Sequence, residues 1–140
     1  MPTPGGIRHL LETCLYVDDL ARSRAFYEKV IGLSAGFSDR RMAAYRVGDT
    51  MLLLFARGAT LEPVEMASGT IPAHDGAGPA HFAFSIEADA LERWARHLEA
   101  NGAPVESRVT WPGSGAVSLY FRDPDGHLVE MATPGLWGIA

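Results

Sequence analysis

Hydrophobic positions in this chain follow a period of two, then a helical period, then a period of two again, and the whole succession occurs twice. From Leu10 to Val17 apolar and polar residues alternate, so Thr13, Leu15 and Val17 share one face of a predicted strand and Glu12, Cys14 and Tyr16 the other. Asp18 or Asp19 offers a side-chain oxygen to the first free amides of a helix running to about Ile31, with Phe26 and Val30 on its apolar stripe and Gly32 as its stop. Short strands are expected next over 34–37, 42–47 and 51–56, the last two joined by a turn at Gly48 and Asp49.

Residues 58–79 lose this periodicity and fill with Gly, Ala, Pro and Thr, which predicts a connector with weak structure of its own. At Ala80 the pattern restarts. His81 to Ile86 predicts a strand with Phe82, Phe84 and Ile86 on one face and His81, Ala83 and Ser85 on the other. Leu91, Trp94, Ala95 and Leu98 make a helical stripe ended by Gly102, with Asp89 and Glu92 spaced for a capping arrangement. Strands over 104–109, 116–122 and 128–132 complete the second round. With Glu12 laid on His81 the two rounds coincide, so the chain reads as an internal duplication. One domain over 1–140 would hold modules at 9–57 and 80–134, joined by the connector at 58–79. The expected fold is α+β: two tandem βαβββ modules with curved mixed sheets forming a cleft.

The most informative stretch is Tyr120-Phe-Arg-Asp-Pro-Asp-Gly-His-Leu-Val-Glu130-Met-Ala. Pro124, Asp125 and Gly126 predict a tight turn between two strands. Parity sets Val129 and Met131 on one face and Glu130, with Leu128 and Ala132, on the other. A carboxylate on a covered sheet face needs a partner, because an unpaired buried charge is costly. Glu12 and His81 also occupy the less apolar faces of their strands, and two such faces meeting would collect Glu12, His81 and Glu130. The competing reading pairs a glutamate with Arg46, Arg108 or Arg122 and leaves His81 a satisfied cleft histidine.

Charge and composition narrow the function classes. A formal charge of −5 without any basic run argues against nucleic acid and anionic membrane surfaces as partners. Cys14 is the single cysteine, so no disulfide or multi-thiolate metal site forms within one chain. The opening Met-Pro-Thr-Pro-Gly-Gly has neither a charged nor an apolar leader region, and no apolar run approaches spanning length, so a cytoplasmic protein is expected.

Leu-Tyr-Val-Asp-Asp-Leu-Ala-Arg-Ser-Arg-Ala-Phe-Tyr-Glu-Lys-Val-Ile-Gly-Leu in the first half, with Arg-Asp-Pro-Asp-Gly-His-Leu-Val-Glu in the second, resembles the vicinal oxygen chelate superfamily. Glyoxalase I, extradiol dioxygenases, fosfomycin-resistance transferases and bleomycin-resistance proteins make up this group. The resemblance runs from about His9 to Pro134 and implies one divalent metal ion, Mn, Fe, Ni, Co or Zn, held by Glu12, His81 and Glu130. His is the commoner residue where this chain has Glu12, and His9 is the reserve ligand on that strand. The further glutamate of glyoxalase I falls near Leu53, which cannot ligate. The phosphonate-gripping lysine of fosfomycin transferases falls near Thr110, and the hydroxyl two residues past the first ligand is Cys14.

One histidine with two carboxylates suits a hard divalent ion, with open positions through which vicinal oxygens of a small substrate are polarised. The leading expectation is therefore a glyoxalase- or dioxygenase-like metalloenzyme, a lyase, isomerase, transferase or dioxygenase, with Glu130 and Tyr120 catalytic and Cys14, Trp111, Ser118 and Tyr120 contacting substrate. The alternative is a metal-free binding protein of bleomycin-resistance type, favoured by Glu12, by the missing fourth ligand and by the apolar loop at Trp111. For Cys14 and Tyr120 the plainer readings are a small buried hydrophobe and an ordinary strand tyrosine. His74, His97 and His127 are read as a loop, a surface and a hairpin histidine, and Trp137 as packing on a second subunit of a homodimer.

Overall fold

In the computed structural model, which describes residues 1–140, alternation at the start of the chain becomes strand β1 (Glu12–Val17). Helix α1 (Leu20–Ala25), a π-helical turn over Phe26–Val30, and strands β2 (Ala35–Ser38), β3 (Met42–Val47) and β4 (Thr50–Ala56) follow. A small hairpin of β5 (Val64–Met66) and β6 (Gly69–Ile71) separates this module from the next. The second module comprises β7 (His81–Ser85), α2 (Leu91–Ala100), β8 (Ser107–Thr110), β9 (Val117–Arg122) and β10 (Leu128–Ala132). Each module builds one four-stranded mixed sheet, ordered β1-β4-β3-β2 and β7-β10-β9-β8, with its first strand parallel to its last. The protein is thus mixed α+β, with strand, helix and three strands twice over. No helix is long and apolar enough to cross a membrane.

Local chemistry accounts for most element ends. Asp19 caps α1 by accepting the Arg22 amide at 3.1 Å. The helix then widens, the Ile31 amide reaching back to the Phe26 carbonyl at 3.1 Å, so that Ser23, Tyr27 and Ile31 are buried while Phe26 and Val30 flank the core. Two expectations are corrected. Asp89 and Glu92 form no capping arrangement: Ala88–Ala90 makes a 3-10 turn, Asp89 faces Arg93, and Glu92 is drawn to Arg108. The connector does carry structure, the β5–β6 hairpin, whose strands of three residues are too short to leave a readable period.

Strand parity sets the core. Leu15, Val17, Ala43, Tyr45, Leu52 and Leu54 of the first sheet join Phe84, Phe121, Val129 and Met131 of the second in one buried cluster. The outward faces carry Glu12, Cys14, Tyr16, Leu53 and Phe55 in one sheet and His81, Ser118, Tyr120 and Glu130 in the other.

The turn between β9 and β10 ties the modules together. Asp123, 5% exposed, accepts the amides of Asp125 and His127 with one carboxylate oxygen and the Tyr27 hydroxyl of the other module with the other, at 2.7 Å. Asp125 accepts the Asp18 amide at 2.9 Å and the Ser23 hydroxyl at 3.0 Å. His127 Nδ1 accepts the Ala80 amide at 2.8 Å, so Nε2 carries the hydrogen and donates to the Tyr16 carbonyl at 3.1 Å. This histidine therefore links the end of β1 to the start of β7.

Replacing Tyr27 by Phe removes the donor to a buried Asp123 oxygen and is expected to destabilise the fold by about 1–3 kcal/mol, read as a lower urea midpoint at unchanged slope. An unchanged midpoint would dismiss this link. A pH effect is expected at Glu28, whose carboxyl is held below its ordinary range chiefly by the Arg24 guanidinium at 2.8 Å and then by the Tyr45 hydroxyl at 3.0 Å. Because the folded value is depressed, that stabilisation is present above the unfolded value and lost as pH falls through the folded one. Glu28→Gln should accordingly reduce the stability difference between neutral and strongly acidic solution, measured by denaturation at both.

Candidate metal and substrate site

Register explains why His81 and Glu130 meet. On β10, Leu128 lies beside His81 and Glu130 beside Ala83, with Tyr120 opposite Glu130 on β9. His81 at the start of β7 thus reaches one step along the sheet, bringing its Nε2 to 3.3 Å from Glu130 Oε1. Its Nδ1 lies 2.9 Å from the Leu128 carbonyl, an acceptor, so Nδ1 carries a hydrogen. Nε2 and Oε1 then face each other as a pair that needs a shared cation, a proton or a metal ion. Glu130 is 5% exposed, whereas half of the His81 side chain is open to solvent. None of the three arginines considered as partners engages these carboxylates: Arg46 pairs with Asp49, Arg108 with Glu92 and Arg122 with Glu106.

The pair opens on a cavity of about 590 Å³ walled by Trp111, Tyr120, Leu136, Trp137 and Ile139. Its lining contains neither lysine nor arginine. Tyr120 lies tilted beside His81, ring centres 6.2 Å apart, and its phenol is pushed up by burial first and then by the Glu130 charge, so it stays protonated. Ser118 is buried completely, and its hydroxyl lies 2.5 Å from Glu130 Oε2 and accepts from Trp111 Nε1 at 2.8 Å. The tail after β10, whose place no sequence period marks, forms a wall of this cavity. Trp137 lines it while 87% exposed, at φ 59 between two glycines of left-handed conformation.

Glu12 sits elsewhere. It is exposed at the start of β1 and borders a second cavity of about 260 Å³ with Arg41, Leu53, Phe55, Glu62 and His74. His9 belongs to a separate surface hollow. Within one chain no three His, Cys, Asp or Glu side chains gather as a metal-binding group. The parallel pairing of β1 with β4 sets Leu53 at the position that Glu130 holds in the second sheet. One cleft face therefore carries a histidine and a glutamate, the other a glutamate and a leucine.

The first-module cavity has its own polar grouping. Tyr16 Oη lies 2.6 Å from His74 Nδ1, and burial first, then the neighbouring Cys14, pushes this phenol up to about 12. A phenol so held keeps its hydrogen and donates it to His74. Phe55 meets the imidazole edge-on at 4.7 Å, and Thr60 bonds the His74 backbone through its own carbonyl and hydroxyl. Cys14 is half-buried on the same face of β1. His74 is thereby fixed rather than free in solvent. His97 is exposed and donates to the Val30 carbonyl at 2.7 Å.

Comparison with known proteins finds relatives of the same fold. The sequence model described as Glyoxalase/Bleomycin resistance protein/Dioxygenase superfamily matches residues 6–131. The crystal structure of a lactoylglutathione lyase from Agrobacterium tumefaciens superimposes with a TM-score of 0.85 at 35% identity, covering 96% of this chain and all of that one. The metallothiol transferase FosB of Bacillus licheniformis is 33% identical over 129 residues, 91% of this chain and 75% of its own. The virulence protein STM3117 of Salmonella typhimurium is 30% identical over 128 residues, 90% of this chain and 82% of its own.

Gly76 passes so close to Tyr16 that an added Cβ would lie 2.5 Å from its ring, which is held between Phe55 and His74. Gly76→Ala is expected to displace the connector and to raise the rate of limited proteolysis within 58–79 several-fold, since local opening governs cleavage there. An unchanged cleavage pattern would mean the connector is not held through this contact.

Proposed function

The chain belongs to the Glyoxalase/Bleomycin resistance protein/Dioxygenase superfamily, and from that premise we propose that it is a divalent-metal enzyme acting on a small substrate with two adjacent oxygens. The observation that carries this reading is the facing pair of His81 Nε2 and Glu130 Oε1 at 3.3 Å, with Nδ1–H already committed to the Leu128 carbonyl. An imidazole nitrogen oriented by a backbone acceptor beside a nearly buried carboxylate is a donor set suited to Mn²⁺, Fe²⁺, Co²⁺, Ni²⁺ or Zn²⁺. The remaining protein ligand in this reading is Glu12 from a second chain, the first-module face of one subunit closing over the second-module face of its partner. Exposed Ile7, Leu10 and Leu11 before β1 and exposed Trp137 and Ile139 beside the larger cavity support such a homodimer.

A metal bound there supplies Lewis acidity towards the paired oxygens of the substrate. The chain's own residues do the rest. Tyr120, kept protonated, donates to an oxygen that gains charge. Trp111, Leu136 and Ile139 pack against the substrate's carbon skeleton and exclude water. The relatives' names, a lactoylglutathione lyase and a metallothiol transferase, direct the first assays to thiol adducts of α-ketoaldehydes and to thiol addition to epoxides. Diols and catechols come next. A second reading, sequestration of an apolar compound without metal, is favoured by the apolar walls of the larger cavity.

Glu130→Ala is expected to abolish metal retention, read as metal per chain by elemental analysis, while circular dichroism stays unchanged. Undiminished metal would sink the assignment. Coexpression of Glu12→Ala with Glu130→Ala chains tests the shared site. Each variant alone should be inactive, whereas a mixed dimer regains one intact site in two. Ligand affinity that survives exhaustive chelation, with no metal-dependent turnover, would favour sequestration instead.

A further inference from the structure

Ser118 has one hydroxyl hydrogen, and its neighbours decide where that hydrogen goes. The Trp111 indole N–H can only donate, and at 2.8 Å it occupies a lone pair of Ser118 Oγ. The hydroxyl hydrogen is left for Glu130 Oε2, 2.5 Å away on the same sheet face. Ser118 is fully buried and Glu130 nearly so, so this charge-assisted bond is little weakened by solvent. The two carboxylate oxygens therefore differ: Oε2 is engaged by the serine, and Oε1 alone faces His81 Nε2.

The geometry points to Trp111 and Ser118 as positioning residues that hold Glu130 as a one-oxygen donor, keeping open the coordination position that its second oxygen would otherwise fill. This rests on the metal reading above and extends it. A carboxylate with both oxygens free can bind a divalent ion through both. One oxygen tied to a buried hydroxyl leaves that place for the second oxygen of a chelating substrate. Ser118 then has no hydroxyl hydrogen left for substrate, and the indole contributes its ring face as a wall while its N–H serves the serine.

The test uses the full chain loaded with Mn²⁺ and three variants, Ser118→Ala, Ser118→Thr and Trp111→Phe. Affinity is followed by the electron paramagnetic resonance of free Mn²⁺, and the number of rapidly exchanging waters on bound Mn²⁺ by water-proton relaxation. In Ser118→Ala the water number is expected to fall by about one per site, while affinity changes by no more than the roughly 10–100-fold typical of residues supporting a ligand. Ser118→Thr restores the hydroxyl and the wild-type water number. Trp111→Phe keeps a ring in the wall and moves the water number in the same direction by less. In metal-free protein the Trp111 indole proton, assigned by its loss in Trp111→Phe, shifts in Ser118→Ala. Tight Mn²⁺ binding with an unchanged water number in Ser118→Ala, or an unshifted indole proton, would overturn the relay and leave the metal site standing. Wild-type protein that takes up neither Mn²⁺ nor another divalent ion would overturn both.

Discussion

The turn from Asp123 to His127 is the constraint on which the rest of the molecule depends. Neither sheet can place the other by hydrogen bonding, because the two sheets share no strand pairing. Asp123, Asp125 and His127 instead receive or donate five bonds to Tyr27, Asp18, Ser23, Tyr16 and Ala80, all outside the turn and all but Ala80 in the first module. Tyr27, Ser23, Asp123 and His127 are buried, so leaving their polar groups unpaired carries a desolvation cost. The same turn sets the register of β10 against β9, and hence which face Glu130 occupies. One short segment thus joins the modules beside their shared core and sets the position of the carboxylate.

With the modules so joined, duplication yields two cleft faces of unequal chemistry. The second-module face holds His81 and Glu130 in contact and is walled by aromatic and aliphatic groups. The first-module face has Leu53 where its counterpart has Glu130, and its polar groups, Glu12, Arg41 and His74, surround a smaller hollow. Neither is a complete three-ligand centre. Apolar residues stand exposed before β1, at Ile7, Leu10 and Leu11, and after β10, at Trp137 and Ile139.

The environment of Glu130 shows how a buried carboxylate is made tolerable without an arginine. One of its oxygens accepts from a serine hydroxyl, and the other faces an imidazole nitrogen across a gap that a shared proton or metal ion would fill. The serine is oriented by an indole, the imidazole by a backbone carbonyl. Each supporting bond leaves the outer group with a defined tautomer or rotor, which is the usual device by which proteins orient a ligand for a metal. Without an arginine's fixed positive charge in the cavity lining, the demand for a cation remains.

Periodicity alone determined a great deal about this protein. Alternation in β1, β7 and β10, a cap at Asp18 or Asp19, the stripe of the second helix and the duplicated order of elements were legible, because burial on one face of a strand or helix writes itself directly into residue order. In the first helix the buried residues are Ser23, Tyr27 and Ile31, beside the Phe26 and Val30 read as its stripe. Parity likewise put Glu12, His81 and Glu130 on the faces where they lie. Residue order was silent on contacts between strands and modules. That Ser118 turns to Glu130, that His127 bridges β1 and β7, that the connector forms a hairpin, and that Glu12 and His81 border different cavities depend on where separate elements dock. Strand parity fixes a side chain's face but not the identity of what faces it, and only the packing of the two sheets through the Asp123–His127 turn decided that.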